Sequence, residues 1–276
     1  MNFQQTRAAE RVYRQNMEKA FSNLLHMLAN EELPSEDIPV MLEYFGNDPQ
    51  FKELSNMAAS RMVTAQKNEN ARSWRAAAAK GTRGRTIYSA LKQEATAGLD
   101  GYIQSLILQN SELIRSLPRD TARDVNQKIL QWTMEGLRHE EIAKRLREMV
   151  PRDIKTNLRL IARTELSKCN SAITEARSLE LDIHWYTWLS ANDGERVRPS
   201  HQNMHGVLVP WDSAPNPEVL NGEKNAFGRY HAGCCPNCRC YSEPVVAPEL
   251  LPDSFRVYIG GEIRRITRAQ FIEMAA

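Results

Sequence analysis

The segment from His231 to Cys240 holds four of the five cysteines of this 276-residue chain, and His201 and His205 lie about thirty residues ahead of it. Such clustering constrains the fold, because thiols and imidazoles brought to one place must either bind a metal or be packed together. Cys235 and Cys238 form a Cys-x-x-Cys pair, a spacing that lets one turn present two thiolates to a tetrahedral ion at about 2.3 Å each. Cys238 and Cys240 are two apart, so on a strand their sulfurs point to one side. His201 and His205 are four apart, and both imidazoles leave one face if Pro199 and Ser200 start a helical turn. A site made of His201, His205, Cys238 and Cys240, with Cys235 as a substitute, would be closed and would hold structural zinc. The competing reading is a pair of cysteines packed as small apolar groups beside a hydrogen-bonded histidine. The His201/His205 spacing is also that of a zinc-protease helix, but the glutamate that would serve as base is missing, which excludes that class.

The length exceeds a typical domain of roughly 100 to 200 residues, so two folding units are expected. The 36 basic and 34 acidic residues leave a net charge of +2, which by itself does not point to nucleic acid. No apolar run approaches the roughly 18 to 20 residues that cross a bilayer, and the first residues start an amphipathic pattern instead of a signal peptide. The expected setting is a reducing cytoplasm, with the cysteines as thiols or metal ligands and no membrane partner.

The first two thirds reads as helix. Val12, Met17, Phe21, Leu24, Leu25 and Leu28 recur at three- and four-residue steps, as on one buried face. Ser35 can cap a short helix, and Asp48 with Pro49 caps and opens the next. Further helices are expected over 101–117, closed by Pro118, over 119–135, over 139–149, and from Pro151 towards Leu181. The pattern changes at His184, where an aromatic run through Trp188 reads as a strand. Short strands are also expected at 207–209, 239–246 and 256–259.

Two charged stretches stand out. Between Arg72 and Lys92 lie Arg72, Arg75, Lys80, Arg83, Arg85 and Lys92 with no acidic residue. They read either as a phosphate-contacting patch or as a solvated helix face and loop. On the long helix, Arg163 and Glu165 are followed by Asn170 and Arg177. An uncompensated buried charge is costly, so a network with Asp193, Arg196 and Arg198 in the loop after the first strand is expected. An active-site carboxylate at Glu165 is the rival explanation.

Taken as an ordered set, the run from Ile161 to Glu165, then Asn170, Arg177, Trp188, the stretch Asp193–Arg198, His201, Gly206 and the closing run Asn237–Cys240 resemble the phage Mu F-like minor head proteins, also called head morphogenesis proteins. The resemblance covers about residues 155–245. It implies a minor capsid protein of a tailed phage or prophage, placed in the virion head interior after assembly in the host cytoplasm. It further implies portal, major capsid or scaffolding proteins and packaged double-stranded DNA as partners, and no established enzyme activity.

The expected architecture is α+β: a helical arm or bundle over 1–150, a Mu F-like domain with short antiparallel strands over 151–247, and a C-terminal extension over 248–276. No cofactor beyond structural zinc is expected. Two other classes fit the same residues: an enzyme acting on nucleic acid or nucleotide through Glu165 or the His/Cys cluster, and a zinc-stabilised DNA-binding module.

Overall fold

Asp48 Oδ1 accepts the Phe51 backbone N–H at 2.8 Å, and Pro49 occupies the first position of the helix that follows, so the local start signal is used as expected. The computed structural model describes residues 3–30, 32–79, 83–93, 99–191 and 197–275. Its helical part comprises α1 (Arg7–Ala20), α2 (Ser22–Asn30), α3 (Asp37–Asn47), α4 (Pro49–Ala78), α5 (Gly84–Gln93), α6 (Leu99–Met134) and α7 (His139–Glu180). The later part comprises β1 (Trp185–Leu189), α8 (Pro199–Met204), β2 (Val207–Pro210), α9 (Pro217–Leu220), β3 (Tyr241–Pro244), β4 (Ser254–Ile259), β5 (Glu262–Thr267) and α10 (Arg268–Ala275). The class is α+β, as the sequence implies.

Two prolines do not end helices where their usual effect would place a stop. Pro118 lies inside α6 and Pro151 inside α7. A mid-helix proline removes one ladder hydrogen bond and crowds the preceding turn. Here the apolar stripe continues on both sides: Ile114, Leu117, Ala122 and Val125 are buried around Pro118, and Val150, Ile154 and Leu158 around Pro151. Burying roughly 2 kcal/mol of apolar side chain per turn offsets the lost bond. Near Pro118 the hydroxyls of Ser116 and Thr121 also donate to the carbonyls of Leu113 and Leu117, at 3.1 and 2.7 Å.

The chain divides into two compact units that alternate along the sequence. One consists of Arg7–Thr64 and Ile103–Ala162 and is wholly helical. Its core includes Tyr13, Met17, Leu24, Leu28, Leu42 and Leu146. Phe21, Phe45 and Phe51 form an aromatic cluster with ring centroids 4.4 to 5.9 Å apart, and Tyr13 donates to Asn110 Oδ1 at 3.2 Å.

The other unit consists of Met1–Thr6, Ala65–Tyr102 and Arg163–Ala276. It contains a five-stranded sheet in the order β3-β1-β2-β4-β5. Neighbours are antiparallel except for β2 and β4, which are parallel with Val207 opposite Arg256. That pairing makes the sheet mixed, because after β3 the chain passes to the far side of β2 before re-entering the sheet. The last residues therefore supply β4, β5 and α10, with Phe255, Val257 and Phe271 buried beside Leu208. A second cluster joins Phe3, Trp74, Ile87, Leu181 and Ile183. A third, around Tyr186, Trp188, Val207 and Val209, takes in Cys235, Cys238 and Cys240.

Candidate metal centre

Cys235, Pro236, Asn237 and Cys238 form a β-turn closed by the Cys238 N–H donating to the Cys235 carbonyl at 3.1 Å. Asn237 has φ +60°, and a proline followed by an asparagine at positive φ matches the middle of a type II turn. The turn is pinned to α7 at three points. Thr164 Oγ1 accepts the Asn237 backbone N–H at 2.9 Å, Arg163 donates to Asn237 Oδ1, and Ser167 Oγ donates to the Cys238 carbonyl at 2.8 Å. The Arg163-Thr164 pair on the long helix thus holds the cysteine-bearing turn.

The pinned turn brings Cys238 and Cys240 to His201 on α8. His201 Nδ1 is 3.5 Å from Cys238 Sγ and 3.4 Å from Cys240 Sγ. All three residues are buried, and their ligand atoms lie within 4.8 Å of one another. The Cys240 N–H also points at Cys238 Sγ, at 3.2 Å. On the other side of the ring, His201 Nε2 meets the Tyr230 hydroxyl at 2.9 Å, and that hydroxyl donates to Glu218 Oε1 at 2.6 Å. The hydroxyl has one proton to give, so the His201 Nε2–H donates to it and Nδ1 is the nitrogen turned to the sulfurs. Trp188 on β1 flanks the imidazole, ring centroids 5.6 Å apart.

Charge is shared unevenly among the three groups. Burial works against a charged His201, but hydrogen bonds to Cys235 and Cys238, with the Cys238 charge, outweigh it and push its pKa up to about 9. A hydrogen bond from Cys240 holds Cys238 well below the usual thiol value against burial, with His201 assisting. The same hydrogen bond, together with burial, pushes Cys240 well above it. This set of soft and borderline donors suits a zinc-like ion.

His205 does not join the cluster. Helix α8 ends at Met204, and His205 follows with extended backbone angles (φ −57°, ψ 124°), so the four-residue spacing no longer places both rings on one face. Its Nδ1 instead accepts the Ser190 backbone N–H at 3.1 Å and lies 3.0 Å from Ser190 Oγ. A closed site built on two histidines is therefore not formed. Cys235 neighbours His201 but is not one of the three residues whose ligand atoms converge: its sulfur accepts from Arg198 Nη1 at 3.1 Å, and Arg198 Nη2 donates to the Pro236 carbonyl at 2.9 Å. Cys234 and Cys169 lie elsewhere, with burial raising their thiol pKa values to about 11 and about 12.

Among the described residues, the polar and charged side chains of α7 make the following contacts. Glu165 pairs with Lys168 at 2.8 Å. Asn170 accepts from Asn70 at 3.1 Å and donates to the Phe3 carbonyl at 2.7 Å. Arg177, only 2% exposed, donates to Asn70 Oδ1 at 2.7 Å and to the Lys67 carbonyl at 3.2 Å. Asp193 and Arg196 lie outside the described residues.

Of the basic segment, Arg72, Arg75, Arg85 and Lys92 are exposed on α4 and α5, and Arg72 pairs with Glu69 at 2.9 Å. Arg83 donates to the carbonyls of Leu181 and Asp182, just past the end of α7, at 3.2 and 3.3 Å. Lys80 lies outside the described residues. No helix among the described residues is long and apolar enough to cross a membrane.

Sequence reasoning missed Glu218 and Tyr230, which orient His201. Neither sits in a metal-ligand spacing, and their relation to His201 arises only when α9 and the following loop fold back on α8. Asn216, whose side chain accepts the Val219 N–H at 3.2 Å to cap α9, and Pro217 at its first position are the local signals that this stretch is ordered.

The fold and the cluster define a Cys/His-containing α+β domain carried with long helices. Residues 123–243 match the model of the family described as Phage Mu protein F like protein, the family that the ordered motifs resemble. An uncharacterized protein of Haemophilus influenzae is 29% identical over 144 residues, which are 52% of this chain and 29% of the relative. An uncharacterized protein of Methanocaldococcus jannaschii is 40% identical over 119 residues, 42% of this chain and 16% of the relative. The chain thus spans less than a third of the length of these curated relatives. No solved structure gives a significant match.

Proposed function

We propose that the protein is a minor head component of a tailed phage or prophage, portal-associated, which aids procapsid assembly and the handling of packaged DNA. The observation that carries this reading is the Mu F-like match over residues 123–243. Two structural features support it. The motif residues Arg163, Thr164, Asn237 and Cys238, together with Ser167, hold a turn to a helix, which is an architectural task. The exposed cations of α4 and α5 offer a surface to phosphates without reading sequence.

In this reading the chain acts as a structural part and not as an enzyme. Glu165 is engaged by Lys168 and serves the helix surface. Portal, major capsid or scaffolding proteins are its partners, the head interior its final place, and the host cytoplasm its place of assembly. The test is fractionation of phage heads after mild disruption. Co-purification with the portal is expected, and a protein found free in the lysate but absent from heads overturns the assignment.

A further inference from the structure

We propose that His201 Nδ1, Cys238 Sγ and Cys240 Sγ bind one zinc ion, and that the fourth corner of its tetrahedron faces the neighbouring cavity instead of Cys235. Three separate observations lead there.

The first is distance. With metal bonds of about 2.0 to 2.1 Å to nitrogen and about 2.3 Å to sulfur, neighbouring ligand atoms of a tetrahedral zinc site stand about 3.5 to 3.8 Å apart. His201 Nδ1 stands 3.5 and 3.4 Å from the two sulfurs, close to that separation, so an ion needs little rearrangement to enter.

The second is orientation. A ligating histidine usually gives its other N–H to a carboxylate or carbonyl, which fixes the ring and its tautomer. His201 gives Nε2–H to Tyr230, which passes its own proton to buried Glu218. A histidine that merely filled the core would gain nothing from a carboxylate buried to 3% exposure in order to aim it, since burying that charge is costly.

The third is the position of Cys235. Arg198 donates to its sulfur, and Cys235 does not belong to the group of converging ligand atoms. Beside that group lies a cavity of about 360 Å³ whose described walls include His201, Cys238, Cys240, Arg163, Arg198 and Arg239. Two thiolates and one imidazole leave a zinc ion one bond short of four. A water or a small anion entering past the arginines completes the shell.

Zinc binding is independent of the head assignment, because it concerns the unmodified chain in any context. The experiment is elemental analysis of the full-length protein purified without chelator. Stripping with a chelator and titration with Zn²⁺ and Co²⁺ follow. About one zinc per chain is expected, with sub-micromolar affinity and a cobalt spectrum that carries thiolate charge-transfer bands.

Cys238→Ser and Cys240→Ser abolish those bands, and Cys235→Ser leaves them unchanged. Tyr230→Phe retains the ring and lowers zinc affinity by about 10- to 100-fold through loss of the partner that aims His201. Adding azide to the cobalt form shifts its visible bands, because the fourth position is open. Failure of the unmodified stripped chain to take up either metal overturns the proposal whatever the variants do. So does loss of the thiolate bands in folded Cys235→Ser protein, or a cobalt spectrum indifferent to azide.

Discussion

Thr164 on α7 accepts the backbone N–H of Asn237 at 2.9 Å, across 73 positions of sequence. The hydroxyl is one of three anchors that seat the cysteine-bearing turn on the helix, and the bond it makes is part-buried. A typical intramolecular hydrogen bond contributes about 0.5–1.5 kcal/mol. Thr164→Ala is expected to lower stability in urea by that amount, while Thr164→Ser recovers most of it. Equal midpoints for the two variants would show that the turn is held by other means.

Gly233 has φ +87°, and a Cβ there would stand 2.9 Å from the Cys240 carbonyl oxygen and 3.2 Å from that of Ser167. Both obstacles are backbone, so neither can swing aside. Gly233→Ala is expected to destabilise by about 2–4 kcal/mol, from the left-handed conformation plus overpacking. Gly222, at φ +76° with open space around it, is the control: Gly222→Ala meets only the conformational cost of about 1–2 kcal/mol. Calorimetry of the pair separates the two effects.

Arg177 and Asn70 meet inside the unit that carries the sheet, at 2.7 Å, where Asn70 also donates to Asn170 and Thr174. The buried guanidinium depends on acceptors such as this amide oxygen. Asn70→Leu is expected to cost about 2–3 kcal/mol, the range for a lost hydrogen bond to a charged group. A stability within about 0.5 kcal/mol of the parent in denaturant titration would mean that Arg177 is satisfied without Asn70.

His231 lies against Tyr186 and Trp211, ring centroids 5.7 and 5.4 Å away. Burial lowers its pKa to about 4 from an ordinary 6.5, only partly opposed by the Trp211 backbone and Asp212. The folded-state value is depressed, so the unfolded chain binds the proton more readily. This contribution is fully present above pH 6.5 and is lost as pH falls through about 4. Its size is on the order of 3 kcal/mol. His231→Gln should therefore show a flatter stability profile between pH 7 and pH 4.5 than the parent, read as the difference between their urea midpoints.

If the basic face of α4 and α5 meets DNA, replacing Arg72, Arg75, Arg85 and Lys92 by glutamine weakens binding to all sequences alike. It also reduces the salt dependence, by about 0.9 in the log–log slope for each phosphate contact removed. Arg83→Gln acts differently, because that side chain is tied to the carbonyls at the end of α7. Fluorescence anisotropy at two salt concentrations distinguishes these outcomes, and an unchanged slope in the fourfold variant removes DNA from the list of partners.

The helices were legible because apolar spacing and the Asp48–Pro49 start signal act within a few positions, although Ser35 does not cap α3, whose N-cap position is Glu36 with no side-chain cap. The Cys235–Cys238 turn was legible too, since Pro236 and Asn237 suit its two central positions and no distant residue is required. The same local reasoning misplaced His205, because four-residue spacing implies one face only while the helix lasts, and α8 stops at Met204. It also expected helix ends at Pro118 and Pro151, where burial on both sides of the proline outweighs the missing hydrogen bond.

By itself the sequence determined that this chain would be largely helical and would close with short strands, and it pointed to two imidazoles, His201 and His205, beside the late thiols. Only the tertiary structure decided which imidazole, that Tyr230 and Glu218 aim it, that β4 runs parallel to β2, and that Arg177 rests on Asn70 107 positions away. The reason is physical. Periodicity and turn chemistry are settled among neighbours, whereas a buried polar group takes whichever partner the closed chain brings within reach.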